Sequence, residues 1–152
     1  MEVRFAHLCD YALVSKEGKL SVLGIFSNIV VRNLPATHPS AYLAFELEFN
    51  HAEMNQPVPL RIELVDADGA KLLRLEAEVV AEGPQQIGAR PRLAQILTLN
   101  QLTFRKSGSY EFNFFISEAL KHQLPFSVNV IAGDSTLEIG GQDPPPVLPP
   151  GA

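Results

Sequence analysis

The sequence predicts an all-β fold, an antiparallel β-sandwich of about seven or eight strands with immunoglobulin-like Greek-key connections. Apolar and polar side chains alternate with a period of two along most of the chain. Turn signals separate the apolar stretches at intervals of roughly ten to fifteen residues. A length of 152 residues fits one domain with a buried core. A closed barrel is the alternative architecture.

The N-terminal segment predicts a β-hairpin. Its first strand starts at Val3 and places on one face Phe5, His7, Cys9 and Tyr11. After a polar break at 15–19, a second strand runs from Leu20 to Leu34 and is apolar on both faces. Gly24 predicts a bulge or a close backbone approach within it. We expect a central strand covered on its outer face, and the alternative is an apolar surface open to a partner.

The middle of the chain predicts three further strands. Residues 42–49 alternate most regularly, which is typical of an antiparallel strand with one buried face. Residues 58–64 and 73–79 alternate in the same way. The turn Asp66–Gly69 joins them, with Gly69 supplying a positive φ.

The C-terminal half begins with a long loop at 82–92. A strand follows at 93–104, preferred over a short helix because no capping residue precedes it. Strands at 110–116 and 124–130 flank a helical turn or hairpin loop, and Pro125 places the last strand at an edge or at its start. The segment from Phe104 to Tyr110 resembles a tyrosine corner, in which the hydroxyl bonds back to the loop backbone.

Two segments divide the chain by composition. Residues 1–139 form the predicted sandwich domain, in which 131–139 is either a late strand or the start of the tail. Residues 140–152 hold five of the twelve prolines and predict a disordered polyproline segment. Docking of 144–150 into an aromatic groove is the alternative for this tail.

Composition narrows the function classes. A net charge of −5 argues against a generic nucleic-acid binder. No apolar run has the length of a membrane span, and no signal peptide is visible. The single cysteine excludes a disulfide framework and fits a reducing compartment, so we predict a cytoplasmic location.

Two groups of residues invite a chemical interpretation. His7 and Cys9 share a strand face and could form a thiol nucleophile. Asp66, Asp68 and Asp134 could contribute to a calcium site in the end loops. For both groups we favour a structural role, a buried thiol in the first case and a hairpin turn in the second. We therefore expect no enzyme, no metal and no cofactor.

Charge is distributed unevenly along the chain. Residues 41–82 carry nine acids and three bases, whereas residues 83–107 carry four bases and no acid. If the strands in the first block share a sheet, its outer face is acidic, which serves either solubility or a complementary partner. The candidate interface residues are Glu46, Glu48, Glu76, Glu78, Arg90, Arg92 and an outward Phe115.

Several short motifs resemble an uncharacterised bacterial family of small all-β domains. They are Phe5 to Ala12, Gly18 to Phe26, the Gly-x-Tyr-x-Phe strand from Gly108 and the Leu-Pro-Phe-x-Val strand from Leu124. The resemblance covers roughly residues 3–131. It implies a fold and a bacterial source, but no activity and no site residues.

Together these observations predict a non-catalytic interaction or scaffold module. Its partner would be another protein or a second copy, with no nucleic acid and no membrane involved. The alternative is a domain that binds a ligand or calcium through Asp66 and Asp68. A thiol enzyme acting through Cys9 is the third hypothesis.

Overall fold

The structure is a computed structural model that describes residues 1–83 and 88–131. Within those ranges the chain forms nine strands, which confirms the all-β prediction and adds at least one strand to it. A 3-10 turn at His51–Glu53 is capped by Asn50. The strands are β1 (Glu2–Val14), β2 (Leu20–Ile25), β3 (Asn28–Val31), β4 (Ala36–Glu48), β5 (Pro57–Asp66), β6 (Lys71–Val80), β7 (Arg92–Phe104), β8 (Gly108–Ile116) and β9 (Ala119–Val130).

The predictions for 132–139 and for the proline-rich tail at 140–152 lie outside the described residues. The same holds for the boundary placed between them.

The strands form two sheets. Sheet A has the order β2-β1-β4-β7, and sheet B has the order β3-β9-β8-β5-β6. The prediction of a wholly antiparallel sandwich is wrong at one place, because β3 runs parallel to β9. The chain leaves sheet A at the end of β2, crosses through Phe26 and Ser27, and joins the open side of β9 in the same direction as β9.

The predicted long strand from Leu20 to Leu34 is therefore two strands in different sheets. Both β2 and β3 are terminal strands of their sheets, so the expectation of one central, covered strand is wrong. The segment from Leu20 to Leu34 is apolar on both faces because its two halves, β2 and β3, pack at the edges of different sheets.

The main core lies between the sheets and consists largely of the apolar side chains that alternate with polar ones along the strands. Strand β4 contributes Leu43, Phe45 and Leu47, followed by Phe49, as the period of two predicts. Strands β5 and β8 contribute Val58, Leu60, Ile62, Leu64, Tyr110, Phe112, Phe114 and Ile116. Each such large side chain stabilises the fold by about 1.5–3 kcal/mol on burial.

A second, smaller cluster lies apart from the main core. It consists of Cys9, Ala12 and Ala44, with Leu20 and Val22 of β2 packed against it. Small side chains of β1 and β4 thus pack against β2 in this cluster. The larger side chains of Leu23 and Ile25 in the same hairpin are exposed.

The C-terminal hairpin confirms two local predictions and corrects one. Ser117 and Glu118 have φ values of +48° and +70°, so a two-residue turn joins β8 to β9 and the alternative of a helical turn is wrong. Pro125 lies within β9, which stands between β3 and β8, so the prediction that this proline marks an edge strand or the start of a strand is wrong. The proline is tolerated because β3 pairs only with the residues of β9 from Ser127 onward. The Tyr110 hydroxyl donates to the Lys106 carbonyl at 2.6 Å, as a tyrosine corner requires.

Candidate interaction surfaces

An apolar strip covers the β1–β2 hairpin. Leu23 is 65% exposed and Ile25 is 59% exposed, and both lie on the terminal strand β2. Leu23 stands opposite Tyr11, so the two side chains share a face of the sheet. We define the apolar strip as the exposed side chains of Tyr11, Leu13, Leu23 and Ile25, which the pairing of β1 with β2 places on one face. Sequence reasoning favoured a covered surface here, but within residues 1–83 and 88–131 these side chains are exposed.

Gly24 gives β2 its local shape. Its φ is +67°, and a Cβ built on it would lie 2.4 Å from Oδ2 of Asp10. This confirms the close backbone approach predicted at this glycine. Beside it, residues of β2 and β3 line a shallow cleft of about 340 Å³ that includes Ile25 and Val30. The apolar strip therefore continues toward the edge of sheet B.

Five charged side chains form a network on the outer face of sheet A. Glu48 accepts a hydrogen bond from Arg4 at 2.8 Å and pairs with Arg90 and Arg92 at 3.2 Å each. Glu46 lies 3.5 Å from Arg4. The hydrogen bond from Arg4, helped by those from Arg90 and Arg92, holds the pKa of Glu48 below its ordinary value. Four of the candidate interface residues are thus neutralised within the chain.

The acidic block of the sequence does not form one face. Glu46 and Glu48 lie on sheet A, whereas Glu63, Glu76 and Glu78 lie on sheet B. The sequence hypothesis of a shared acidic sheet is therefore wrong. The hypothesis fails because β4 pairs with β7, which puts Glu48 opposite Arg92. Acidic side chains of residues 41–82 therefore lie beside basic side chains of residues 83–107.

Arg61 organises the outer face of sheet B. Its guanidinium lies 4.2 Å from the ring centroid of Phe115 and donates to Glu118 at 2.6 Å. Its Nε lies 3.2 Å from Glu63, a carboxylate that is 4% exposed and also accepts from Lys71 at 3.1 Å. The aromatic contact and the paired charges hold Arg61 in place.

Phe115 lies on the outer face of sheet B, as the alternation predicted, but it is half-buried. The guanidinium of Arg61 covers its ring, and a cleft lies beside it. That cleft has a volume of about 370 Å³. Its polar lining is Arg61, Glu76, Glu78 and Glu118, and its apolar lining includes Pro59, Ala77 and Phe115.

Cys9 is fully buried, and its Sγ donates to the Tyr42 carbonyl at 3.4 Å. Burial, together with the nearby Asp10 carboxylate, raises the pKa of the thiol. The ring of His7 stacks on Phe5, with centroids 5.5 Å apart. These surroundings favour the neutral thiol, whereas nucleophilic chemistry needs a thiolate.

Asp66 and Asp68 are engaged in the turn between β5 and β6. Oδ1 of Asp66 accepts the backbone N–H groups of Asp68 and Ala70 at 2.9 Å each. Asp68 pairs with Lys106 at 3.1 Å. Asp134 lies outside the described residues. In residues 1–83 and 88–131 no group of three or more His, Cys, Asp or Glu could hold a metal ion.

Residues 1–83 and 88–131 contain no helix that could span a bilayer.

Fold and surface together define a small two-sheet β domain with paired charges on both outer faces and an open apolar strip at one edge. The chain belongs to the family of unknown function DUF6941, whose family model matches residues 4–129. This confirms the predicted membership in a family of small all-β domains without a known activity. Among curated proteins no sequence matches this chain.

One solved structure similar to this chain is the alkylpurine DNA glycosylase AlkC of Pseudomonas fluorescens, bound to DNA containing an abasic site analogue. The identity is 12% and the TM-score is 0.38, and the match covers 82% of this chain and 30% of the glycosylase chain. The likeness to a DNA-bound protein does not support the sequence prediction that excluded nucleic acid as a partner, and that exclusion is withdrawn. At that TM-score the likeness carries no argument about what this chain binds.

Proposed function

We propose that this protein is a non-catalytic interaction module that binds an extended apolar segment of another protein along β2. The single observation that carries the proposal is the apolar strip beside the open backbone edge of β2. In the described part of the chain, β2 pairs only with β1, so the N–H and C=O groups on its other side have no ladder partner. An added strand would satisfy them.

The composition of β2 supports this proposal. Edge strands usually carry a charge or a proline that discourages pairing with another chain. β2 reads Leu-Ser-Val-Leu-Gly-Ile and contains neither. Its side chains Leu23 and Ile25 would gain about 25 cal/mol for each Å² of apolar surface removed from water. The occupant that fits is therefore an extended segment with apolar side chains on one face.

The test uses a displayed library of random peptides selected on the purified full chain. We expect enriched peptides to be apolar at alternate positions and to bind the wild type. The double variant Leu23→Glu/Ile25→Glu should lose this binding by at least tenfold, because it places two charges in the apolar contact.

Leu120→Glu is the matched control. Leu120 is 47% exposed on β9, away from the apolar strip, so this change adds a charge at a similarly exposed apolar site. Binding should survive in it. Peptides that bind the Leu23→Glu/Ile25→Glu variant as well as the wild type would refute the proposal, and so would a selection that enriches no peptide.

We propose further that the sandwich has immunoglobulin-like Greek-key connections. In that fold strands A, B and E are neighbours in one sheet, and C, F and G are neighbours in the other. The orders β1-β4-β7 and β5-β8-β9 support this assignment. So does the hydrogen bond of Tyr110, which lies near the start of the strand corresponding to F. β2 and β3 would then be an insertion between A and B.

We also propose that the module works in the reducing cytoplasm of a bacterial cell. The lone cysteine supports this, because Cys9 is a free thiol buried in the smaller core cluster and could not form a disulfide within the chain.

A further inference from the structure

β6 is another terminal strand of the fold, at the opposite end of sheet B from β3. β3 lies beside β2, since residues of both strands line one cleft. β6 is thus far from the apolar strip. It is ten residues long and, within the described residues, pairs only with β5. A long edge of this kind offers a row of unpaired backbone groups to another strand.

The outer-face side chains of β6 are acidic in its C-terminal half. From 75 to 89 the sequence contains Glu76, Glu78 and Glu82 and no base. Glu76 is paired with Arg74. Among the residues that the structure describes, Glu78 has no hydrogen bond or ion pair. This end of the edge therefore carries unbalanced negative charge.

The other face of β6 is apolar and incompletely covered. Leu75 stands opposite Ile62, and Ala77 stands opposite Leu60, both of which are buried in the main core. Residues opposite each other in a ladder point to the same side, so Leu75 and Ala77 point toward the core side of the sheet. Yet Leu75 is 38% exposed. The apolar row of sheet B thus stops at β6 without a neighbour to cover it.

We propose that β6 binds an extended segment of a partner protein in which basic and apolar side chains alternate. The apolar side chains extend the row of Leu75 and Ala77, and the basic ones meet Glu76 and Glu78. This inference rests on the proposed function in one respect, since both β2 and β6 are taken to bind an extended segment of another protein. Together the two edges would let one module join two partners.

The cleft on the outer face of sheet B fits this occupant. Its apolar lining, which includes Pro59 and Phe115, suits the methylene stem of a lysine or arginine. Glu76 and Glu78 line the same cleft and would accept the charged end of that side chain. Arg61 also lines this cleft, but its positive charge repels a bound cation only weakly because its guanidinium already pairs with Glu118.

The test uses a synthetic peptide of alternating lysine and valine, with a glutamate–valine peptide of equal length beside it. The lysine–valine peptide should bind the full chain, more weakly at high salt, and slow amide hydrogen exchange in β6. Glu76→Gln/Glu78→Gln should weaken binding by about two- to thirty-fold, the range that two exposed ion pairs supply. The glutamate–valine peptide should not bind.

Glu2→Gln/Glu17→Gln is the matched control, since it removes two exposed acids elsewhere and changes the net charge equally. It should leave binding within twofold of the wild type. Equal weakening in both double variants would show a general charge effect and overturn the proposal. Slowed exchange in strands other than β6, or no binding, would overturn it as well.

The two proposals fail separately in these experiments. Leu23→Glu/Ile25→Glu should bind the lysine–valine peptide as the wild type does. Loss of that binding in the β2 variant would place the basic peptide on β2 and reject the β6 site, whereas the random-peptide selection tests β2 by itself.

Discussion

At the residue scale, a few side chains and backbone angles determine how the hairpin and the corner are built. Gly24 lies where the backbone of β2 passes close to Asp10, and Tyr110 ties the start of β8 to the loop before it. Glu48 gathers three arginines from two other segments. Each of these contacts supports a prediction about a single substitution.

Gly24→Ala should destabilise the protein more than Gly18→Ala does. Both glycines have positive φ, so both changes add backbone strain of about 1–2 kcal/mol. Only at Gly24 would the new Cβ also meet Asp10, and Gly18 has no atom within 4 Å. Chemical denaturation measures the two losses. Adding Asp10→Ala should remove the excess loss of Gly24→Ala, and equal losses in the two single variants would contradict the close approach.

Tyr110→Phe should lower the free energy of unfolding by about 1 kcal/mol, because it deletes the donor to the Lys106 carbonyl and keeps the ring. Tyr11→Phe is the matched control, since Tyr11 is 47% exposed. It should change stability by less than about 0.5 kcal/mol. Denaturant titration of both variants checks the difference, and a neutral Tyr110→Phe would mean that the corner bond contributes no stability.

Glu48 should make stability depend on pH in the acidic range. The folded pKa of Glu48 lies below its unfolded value of 4.5, so on acidification the unfolded state takes up the proton first. The stabilisation is present above pH 4.5 and is lost as pH falls through the folded pKa. Thermal melts between neutral and acidic pH should show a flatter profile for Glu48→Gln.

Arg4→Gln tests the cause of this pH dependence, because the hydrogen bond from Arg4 has the largest effect on the pKa of Glu48. This variant should flatten the profile in part, and its effect should not add to that of Glu48→Gln. An unchanged profile in Glu48→Gln would contradict the assignment.

At the element scale, the alternation of side chains reveals strands but not their neighbours. Leu43 to Phe49 and Tyr110 to Ile116 were predictable, because each strand buries one face against a continuous core. The two strands within 20–34 were not separable, because both lie at edges where apolar side chains appear on either face. Only the long-range pairing of β3 with β9 distinguishes them.

The charged network on sheet A could not be predicted from the sequence either, because it depends on long-range strand pairing. Glu48 and Arg92 are distant along the chain, and the register of β4 with β7 brings them together. Phe115 was correctly placed on an outer face. Its cover by Arg61 depends on the pairing of β5 with β8, which no local pattern contains.

At the scale of the whole molecule, the two edges proposed to bind partners, β2 and β6, differ in chemistry. β2 is apolar and uncharged, whereas β6 combines an acidic face with a partly covered apolar one. The outer face of sheet A has its predicted interface charges paired within the chain. The edges, rather than this face, are therefore where the molecule has unsatisfied backbone groups and uncovered side chains to offer.

The central claim is that β2 accepts an extended apolar segment of another protein. Amide hydrogen exchange of the full chain, alone and with a peptide selected on it, tests this claim most directly. We predict that the peptide slows exchange at amides of β2, and that Leu23→Glu/Ile25→Glu abolishes the slowing. Slowed exchange confined to other strands, or an unchanged exchange rate throughout β2, would contradict the claim.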